Sequence, residues 1–418
     1  MNDLIYPHVF LLSYYAKSDR PYPQNPKPES LKESLISLDK YDVKGYKIKQ
    51  CLQNTNSLLL TCSLEEEEKP PRYNYFGALT KQLLNIREIE ERSRDKTGEI
   101  ISDRLGTTLI LSGYLPSFIT FNEENCQKLA QSAYENLGNI KAPTWYSPPI
   151  TEQFDAKVFS LGETPSKFAR ETREKIEHIL IFTYRDRPTF SAAIANYYED
   201  WLELYCYRHH IVSGYRDTRQ IKADIQSYYS LAGWFRDRPD YPNALIDYRL
   251  NQLEKAISDS EPLSARYIEG ISRLETRKAA IQTNLNNYCE KLQTFNPSDE
   301  FSQLVNQHYL EQIERDIDTL SPGLRLQQTW LETLRGMVEI QRAKSDRNIE
   351  ALIGAAGVGI GASSAAASAS SGLIKDIQPN LQPTFSLAVI LIGSLLFGGL
   401  LGCLTWMIVK YLRSHLSR

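Results

Sequence analysis

The chain has few cysteines, and their spacing excludes two classes of protein. Six cysteines occur among 418 residues, and no two of them form a C-x-x-C pair. A disulfide-stabilised scaffold or a structural zinc site needs cysteines at short, recurring spacings. The six lie far apart, at positions 51, 62, 126, 206, 289 and 403. We therefore expect a protein of the reducing cytosol that has neither disulfides nor a zinc site.

Motifs for catalysis and phosphate binding are missing as well. The chain contains no G-x-x-x-x-G-K-[ST] loop, no G-x-S-x-G elbow and no H-E-x-x-H pair. Glycines alternate from Gly357 to Gly361, but the strand and the lysine of a phosphate loop are absent there. His209 and His210 are adjacent, so on a helix they point about 100° apart and do not readily share a metal. We expect no enzyme, no cofactor and no metal site.

An excess of charge of one sign is also lacking. The chain has 48 Lys and Arg against 51 Asp and Glu, which gives a net charge of −3. The two signs are interleaved, and no segment concentrates basic residues as a nucleic-acid-binding domain does. We expect no nucleic-acid partner.

The sequence Arg-Asp-Arg-Pro occurs twice, at residues 185–188 and 236–239. Both copies are typical of turns that terminate helices, because proline does not continue a helix interior. Neighbouring arginine and aspartate would form local ion pairs there, each contributing about 0–1 kcal/mol if exposed. An anion-binding role for these elements stays open as the alternative.

Two stretches near the carboxyl end carry no charge, residues 351–374 and 386–409. Each is long enough to cross a bilayer, which takes about 20 apolar residues. The second is dense in Leu and Ile, which favours insertion. The first is mostly Ala, Gly and Ser, so a flexible linker is its alternative. We expect a hairpin of two transmembrane helices joined by a short outer loop, 375–385.

Basic residues flank this hairpin on both outer sides. Three precede it and three follow it: Arg342, Lys344 and Arg347, then Lys410, Arg413 and Arg418. Basic residues stay on the cytoplasmic side, so two crossings place both flanks inside, including the tail 410–418. The first residues lack the basic and long apolar regions of a signal peptide. We expect a multi-pass protein of a prokaryotic plasma membrane, with the bulk of the chain cytoplasmic.

Glycines in both stretches have the spacing of close helix packing. Gly357 and Gly361 form one G-x-x-x-G pair, and Gly398 and Gly402 form another. Such pairs let helix backbones approach closely in lipid. We predict that these four glycines pack the two spans together, with a self-associating or pore-lining role as the alternative.

Residues 1–162 have the pattern of a mixed α/β domain. Short apolar runs such as Leu58–Leu60 and Leu109–Ile110–Leu111 indicate buried strands. The predicted strands are Val9–Tyr15, Tyr46–Leu52, Ser57–Ser63, Thr107–Gly113 and, more weakly, Val158–Leu161. The predicted helices are Ser30–Leu38, Tyr75–Arg94 and Glu123–Leu137.

Residues 163–350 show no strand pattern and predict a helical, coiled-coil-like stalk. From Tyr267 to Leu292 the apolar residues alternate in steps of four and three, the a/d spacing of a coiled coil, and only Lys278 interrupts it. Residues 310–320 resume this spacing, and Ser321–Pro322 predicts the start of a last helix. The stripe suits either the core of a bundle or the seam of an oligomer.

The predicted architecture resembles the CorA-type divalent-cation channels. That family combines a cytosolic α/β domain, long helices and a carboxyl-terminal hairpin with a short outer loop. Its Gly-Met-Asn triplet is absent here, because residues 371–376 read Ser-Gly-Leu-Ile-Lys-Asp. The resemblance implies an oligomeric channel.

We expect an α+β membrane protein that serves as a non-enzymatic binding, sensing or scaffolding module. Its expected partners are the lipid bilayer, an unknown protein and further copies of the chain. A CorA-like oligomeric ion channel or effector pore is the alternative function.

Overall fold

The computed structural model describes most of the first 343 residues and few of the remainder. The described residues are 3–16, 22–24, 26–38, 41–52, 55–64, 75–96, 104–146, 148, 150–162, 176–236, 246–293, 295, 300–343, 392, 396, 400, 403, 404, 407 and 408. They fall into two compact units. Unit 1 comprises residues 1–227 and 268–322, and unit 2 comprises 228–267 and 323–418.

Unit 1 is built on an eight-stranded mixed sheet. Its strands are β1 (Ile5–Ala16), β2 (Glu29–Ser30), β3 (Val43–Leu52), β4 (Thr55–Leu64), β5 (Arg104–Tyr114), β6 (Ile150–Gln153), β7 (Ala156–Gly162) and β8 (His178–Tyr184). Their order across the sheet is β2-β3-β4-β1-β5-β8-β7-β6. Every neighbouring pair is antiparallel except β5 and β8, which run parallel. The five strands predicted from the sequence are confirmed.

Both faces of the sheet are covered. Alternate residues of β1 point to opposite faces, as a pleated strand requires. Phe10 and Tyr14 therefore belong to one core cluster, and Val9 and Leu11 belong to the other. This two-sided burial explains why the central strands are continuous apolar runs.

Helices form a layer on each face. The helices are α1 (Phe76–Lys96), α2 (Glu123–Glu135), α3 (Arg187–Arg236), α4 (Ile246–Gln293), α5 (Glu300–Leu304), a π-helical turn (Val305–Leu310) and α6 (311–343). Residues of α1 and α2 share the core cluster of Val9 and Leu11. Residues of α3, the second half of α4 and α5 share the cluster of Phe10 and Tyr14.

The a/d stripe of α4 is buried as predicted. Ile271, Leu274, Ile281 and Leu285 are all less than a tenth exposed. Lys278 interrupts the stripe, and its amine reaches out to Glu314 at 3.1 Å. The stripe is therefore part of a core within one chain.

Unit 2 contains the first part of α4 and the end of α6. Ion pairs join Arg335 to Glu261 and Arg342 to Glu254, each at 2.7 Å. From the first pair to the second, the chain moves seven residues forward in α6 and seven residues backward in α4. The two helices therefore run antiparallel here. Leu331, Leu334 and Val338 are buried along α6.

Four predictions about elements are wrong. Residues 30–38 form the end of β2 and a segment that contains a turn, instead of a helix. The region 163–350 is not wholly helical, because β8 lies within it. The aromatic-rich segments Phe190–Ile211 and Thr218–Phe235 predict two helices, but the single helix α3 runs through both of them without a break. The helix α6 continues through Ser321 and Pro322, where a new helix was expected to begin. All seven residues of β8 are buried, so packing in the sheet outweighs local propensity there.

The predicted membrane hairpin is contradicted. Among the described residues, no helix is long and apolar enough to cross a membrane. This finding overturns the two-pass topology and the multi-pass membrane location. A span needs about 20 residues of continuous apolar helix, and an uncharged composition does not by itself supply one. Residues 351–374 lie outside the described residues, and the seven described within 386–409 are helical and exposed.

Candidate functional site

Three segments of unit 1 meet at one edge of the sheet. Because β5 and β8 are parallel, with Tyr114 opposite Tyr184, their carboxyl ends lie side by side. The chain after β5 leads through Phe121 into α2, and the chain after β8 enters α3 within two residues. The turn between β6 and β7 reaches the same edge, since Lys157 pairs with Thr183. The carboxyl edge of parallel strands is a common place for ligand sites in α/β proteins.

A cleft of about 520 Å³ opens at this edge. Its walls combine aromatic rings with charged side chains. They are formed by Phe121, Glu152, Phe154, Asp155, Ala156, Lys157, Arg185, Asp186, Thr189 and Phe295. This volume lies within the range of about 300–1,000 Å³ that is typical of small-molecule sites.

The turn between β6 and β7 holds a backbone conformation that its residues rarely adopt. Phe154 and Asp155 have φ values of 53° and 60°, as a two-residue type I′ turn requires. Glycine and asparagine usually occupy such positions, because most other side chains are strained at positive φ. Phe154 is only 3% exposed, and its ring packs edge-on against Trp201. Burial of this ring offsets the strain and fixes the turn beside the cleft.

Each carboxylate in the cleft wall already has a donor. Lys157 Nζ donates to Glu152 at 2.8 Å, and the Tyr197 hydroxyl donates to Asp155 at 3.2 Å. Asp186 caps α3 by accepting from the backbone N–H and the hydroxyl of Thr189, at 3.0 and 2.8 Å. The hydrogen bond from Lys157 lowers the pKa of Glu152, and those from Thr189 lower the pKa of Asp186. Glu152 and Asp186 are therefore engaged as anions.

Arg185 differs from the other charged groups of the cleft. Its guanidinium lies 5.2 Å from the centre of the Phe121 ring, and Lys157 Nζ lies 5.6 Å from the same centre. The side chain is exposed, and within the described part of the chain no carboxylate forms an ion pair with it. Two cations on one ring, one of them without a direct ion pair, can hold an oxyanion.

A second polar cluster is buried between the sheet and α3. The hydroxyl of Thr108 lies 2.8 Å from His209 Nε2 and 3.2 Å from His178 Nδ1. His178 Nε2 lies 3.1 Å from the hydroxyl of Ser160. Burial, reinforced by the charge of Arg208, holds the pKa of both histidines well below its usual range. Neutral, hydrogen-bonded and closed to solvent, this cluster ties α3 to the sheet.

The adjacent histidines do not form a metal site. His209 contacts Thr108, whereas His210 Nε2 lies 2.5 Å from the hydroxyl of Thr55. In the part of the chain that the structure describes, no group of three or more metal-ligating side chains comes together.

The other sequence-predicted sites have different outcomes. Gly357, Gly361, Gly398 and Gly402 lie outside the described residues. The first Arg-Asp-Arg-Pro element begins α3 and does not end a helix, because Asp186 is its cap. The second element follows the end of α3 at Arg236, and its other three residues lie outside the described ones.

The sequence held one signal for the cleft that was not recognised. In residues 185–188, an aspartate precedes a proline by two positions, as at the amino end of a helix. Phe121, Phe154 and Lys157 carried no local signal, because separate elements bring them together.

Comparison of the chain with family models, with curated proteins and with solved structures finds no match. The resemblance to CorA-type channels and the channel alternative therefore stay predictions.

Proposed function

We propose that this chain is a non-enzymatic binding module whose ligand occupies the cleft at the carboxyl ends of β5 and β8. The observation that carries the proposal is the cleft itself, which combines aromatic walls with a few charged groups in a volume that suits a small molecule. Small-molecule sites have this mixture of apolar surface and few polar groups.

The rigidity of the cleft supports the proposal. Phe154 is held by contacts with Phe182, Trp201 and Phe295. Asp186 is held by its cap to α3, and Glu152 is held by Lys157. Binding to groups that are already ordered costs little conformational entropy. A preformed cleft of this kind favours binding over a purely structural role.

The test is a thermal-shift screen of small carboxylates, phosphates, amines and neutral aromatics against the full chain. We expect at least one class to raise the melting temperature. Glu152→Trp should abolish this effect, because Glu152 lines the cleft at an exposed position where an indole would fill it. Glu124→Trp is the matched control, because Glu124 is equally exposed but lies outside the cleft. If no class shifts the melting temperature, the proposal is wrong.

A second candidate function is scaffolding through self-association of the chain. Leu326, Met337 and Ile340 on α6 are exposed, and with Trp330 and Thr333 they follow steps of four and three. This a/d spacing is complementary to a second copy of itself in a coiled coil. Sedimentation analysis of the wild type and Ile340→Glu tests it. A monomeric wild type would exclude it, and an oligomer that Ile340→Glu dissociates would support it.

A further inference from the structure

We infer that the ligand of the cleft is a small amphipathic anion, with a carboxylate or phosphate that binds Arg185 and an apolar body that contacts Phe154 and Phe295. This inference rests on the proposed binding function and adds the chemical class of the ligand.

The partners of the charged groups indicate the sign of the ligand. Glu152, Asp155 and Asp186 accept hydrogen bonds from Lys157, Tyr197 and Thr189. A cationic ligand would have to share these carboxylates with their present donors. Arg185 is exposed and forms no direct ion pair among the described residues, although its charge helps to lower the pKa of Glu152 and of Asp186. An oxyanion would pair with Arg185 without breaking an existing hydrogen bond or direct ion pair.

The geometry of Arg185 suits a planar or tetrahedral oxyanion. Contact with the face of Phe121 limits the orientations of the guanidinium before a ligand arrives. Guanidinium donates two parallel N–H bonds to a carboxylate or phosphate, and such charge-assisted pairs are among the stronger hydrogen bonds of proteins. Lys157 lies beside the same ring, but Glu152 and Glu123 already pair with its amine, which leaves Arg185 as the cation for the ligand.

The amino end of α3 offers few backbone N–H groups to an anion. Helix amino termini commonly bind anions through their first N–H groups. Here Asp186 already accepts from the N–H of Thr189, and Pro188 has no N–H to donate. The side chain of Arg185 must therefore be the main recognition group, which makes the inference testable by one substitution.

The apolar part of the ligand follows from the opposite wall. The rings of Phe154 and Phe295 pack with centroids 4.4 Å apart, and both line the cleft. A phenyl-sized group placed there would be removed from water while its anionic end contacts Arg185. Inorganic phosphate would gain only the contact with Arg185, because it has no apolar group.

The experiment measures binding of benzoate, phenyl phosphate, inorganic phosphate and benzylamine to the full chain by titration calorimetry. We expect benzoate and phenyl phosphate to bind, with phenyl phosphate tighter than inorganic phosphate. Arg185→Gln should weaken both by about tenfold or more, and Arg185→Lys should give an intermediate affinity. Arg187→Gln is the matched control. The substitution removes the same charge, and Arg187 is exposed but does not line the cleft.

The outcomes separate the ligand class from the binding function. One outcome would be that benzylamine binds, that Glu152→Trp blocks its binding, and that the anions do not bind. In that case the anion inference is wrong and the binding function stands. If Arg187→Gln weakens binding as much as Arg185→Gln, the effect is general electrostatics and the inference is wrong. If the wider thermal-shift screen also finds no ligand, both proposals are wrong. Unchanged melting temperatures of the Arg185 variants will show that they are folded.

Discussion

At Gly106, strand β5 passes so close to α3 that there is no room for a side chain. A Cβ at this position would overlap the imidazole of His209. That imidazole lies 2.8 Å from the hydroxyl of Thr108 in the buried polar cluster. The glycine is therefore needed for close approach of helix and sheet, and not for an unusual backbone angle.

Gly106→Ala should lower the free energy of unfolding by about 1–3 kcal/mol, because the buried ring of His209 has to move and weaken its hydrogen bond. Gly336→Ala should instead raise the stability by up to about 1 kcal/mol, since Gly336 is helical and a Cβ there would meet nothing within 4 Å. Urea denaturation of the two variants measures both values. Equal effects would show that the contact with His209 does not restrict residue 106.

Buried histidines should make the protein less stable in mild acid. Burial lowers the pKa of His8 from 6.5 to about 3. Below pH 6.5 the unfolded chain takes up a proton that native His8 does not. The contribution of His8 to the free energy of unfolding is therefore fully present above pH 6.5. It is lost as the pH decreases toward 3, by about 1.4 kcal/mol per pH unit for one such histidine.

Urea denaturation at pH 7.5, 6.0 and 5.5 measures this loss. His178 and His209 add to it in the same direction, because burial lowers the pKa of each. His8→Phe should reduce the pH dependence by the share of one histidine, whatever its effect on stability at pH 7.5. A stability that is constant from pH 7.5 to 5.5 would contradict neutral burial of these histidines.

At the scale of elements, the apolar stripe of α4 is the feature that was best predicted. The a/d spacing identified which residues face a core. The spacing did not identify which part of the fold this face packs against. Ile281 and Leu285 belong to the core cluster that also contains the sheet residues Phe10 and Phe182, so this half of the helix is part of the main core and is not an isolated stalk.

Leu285→Ala should lower the free energy of unfolding by about 2–5 kcal/mol, because the side chain is buried and its removal leaves a cavity. Lys278→Ala, on the same stripe, should change it by less than about 1 kcal/mol, since it removes a partly exposed ion pair with Glu314. Chemical denaturation compares the two. A Leu285→Ala variant that unfolds like the wild type would show that the stripe is not part of the core.

For the whole molecule, burial should divide the cysteines into reactive and protected thiols. None of the six forms a disulfide. Cys62, Cys126 and Cys206 are buried, and burial raises the pKa of Cys206 to about 12. Cys403 is exposed. Because the thiolate is the reactive form, the native protein should react with Ellman's reagent rapidly at Cys403.

The count of thiols tests this division. In denaturant six thiols should react, whereas in the native state at pH 8 the three buried ones should react only as slowly as the protein unfolds. Cys403→Ser should remove the fast phase. Rapid reaction of all six in the native protein would mean that the buried core described here is open to solvent.

The sequence by itself determined the elements whose signal is local. Continuous apolar runs identified β1, β4 and β5, because strands buried on both faces have no polar alternation. The a/d spacing identified the buried face of α4, since helical periodicity repeats within a few residues. The wide spacing of the cysteines also argued against a disulfide scaffold.

Only the tertiary structure decided where the elements meet. Strand β8 was hidden in a region of helical pattern, yet it pairs with β5 across about 70 residues of sequence and creates the parallel edge at the cleft. Phe121, Lys157 and Arg185 come from separate segments, so no spacing along the chain could join them. The uncharged carboxyl-terminal stretches led to a wrong membrane topology. Hydropathy measures the tendency of a segment to leave water. Whether that segment crosses a membrane also depends on whether it forms a continuous apolar helix. Local composition alone does not decide this.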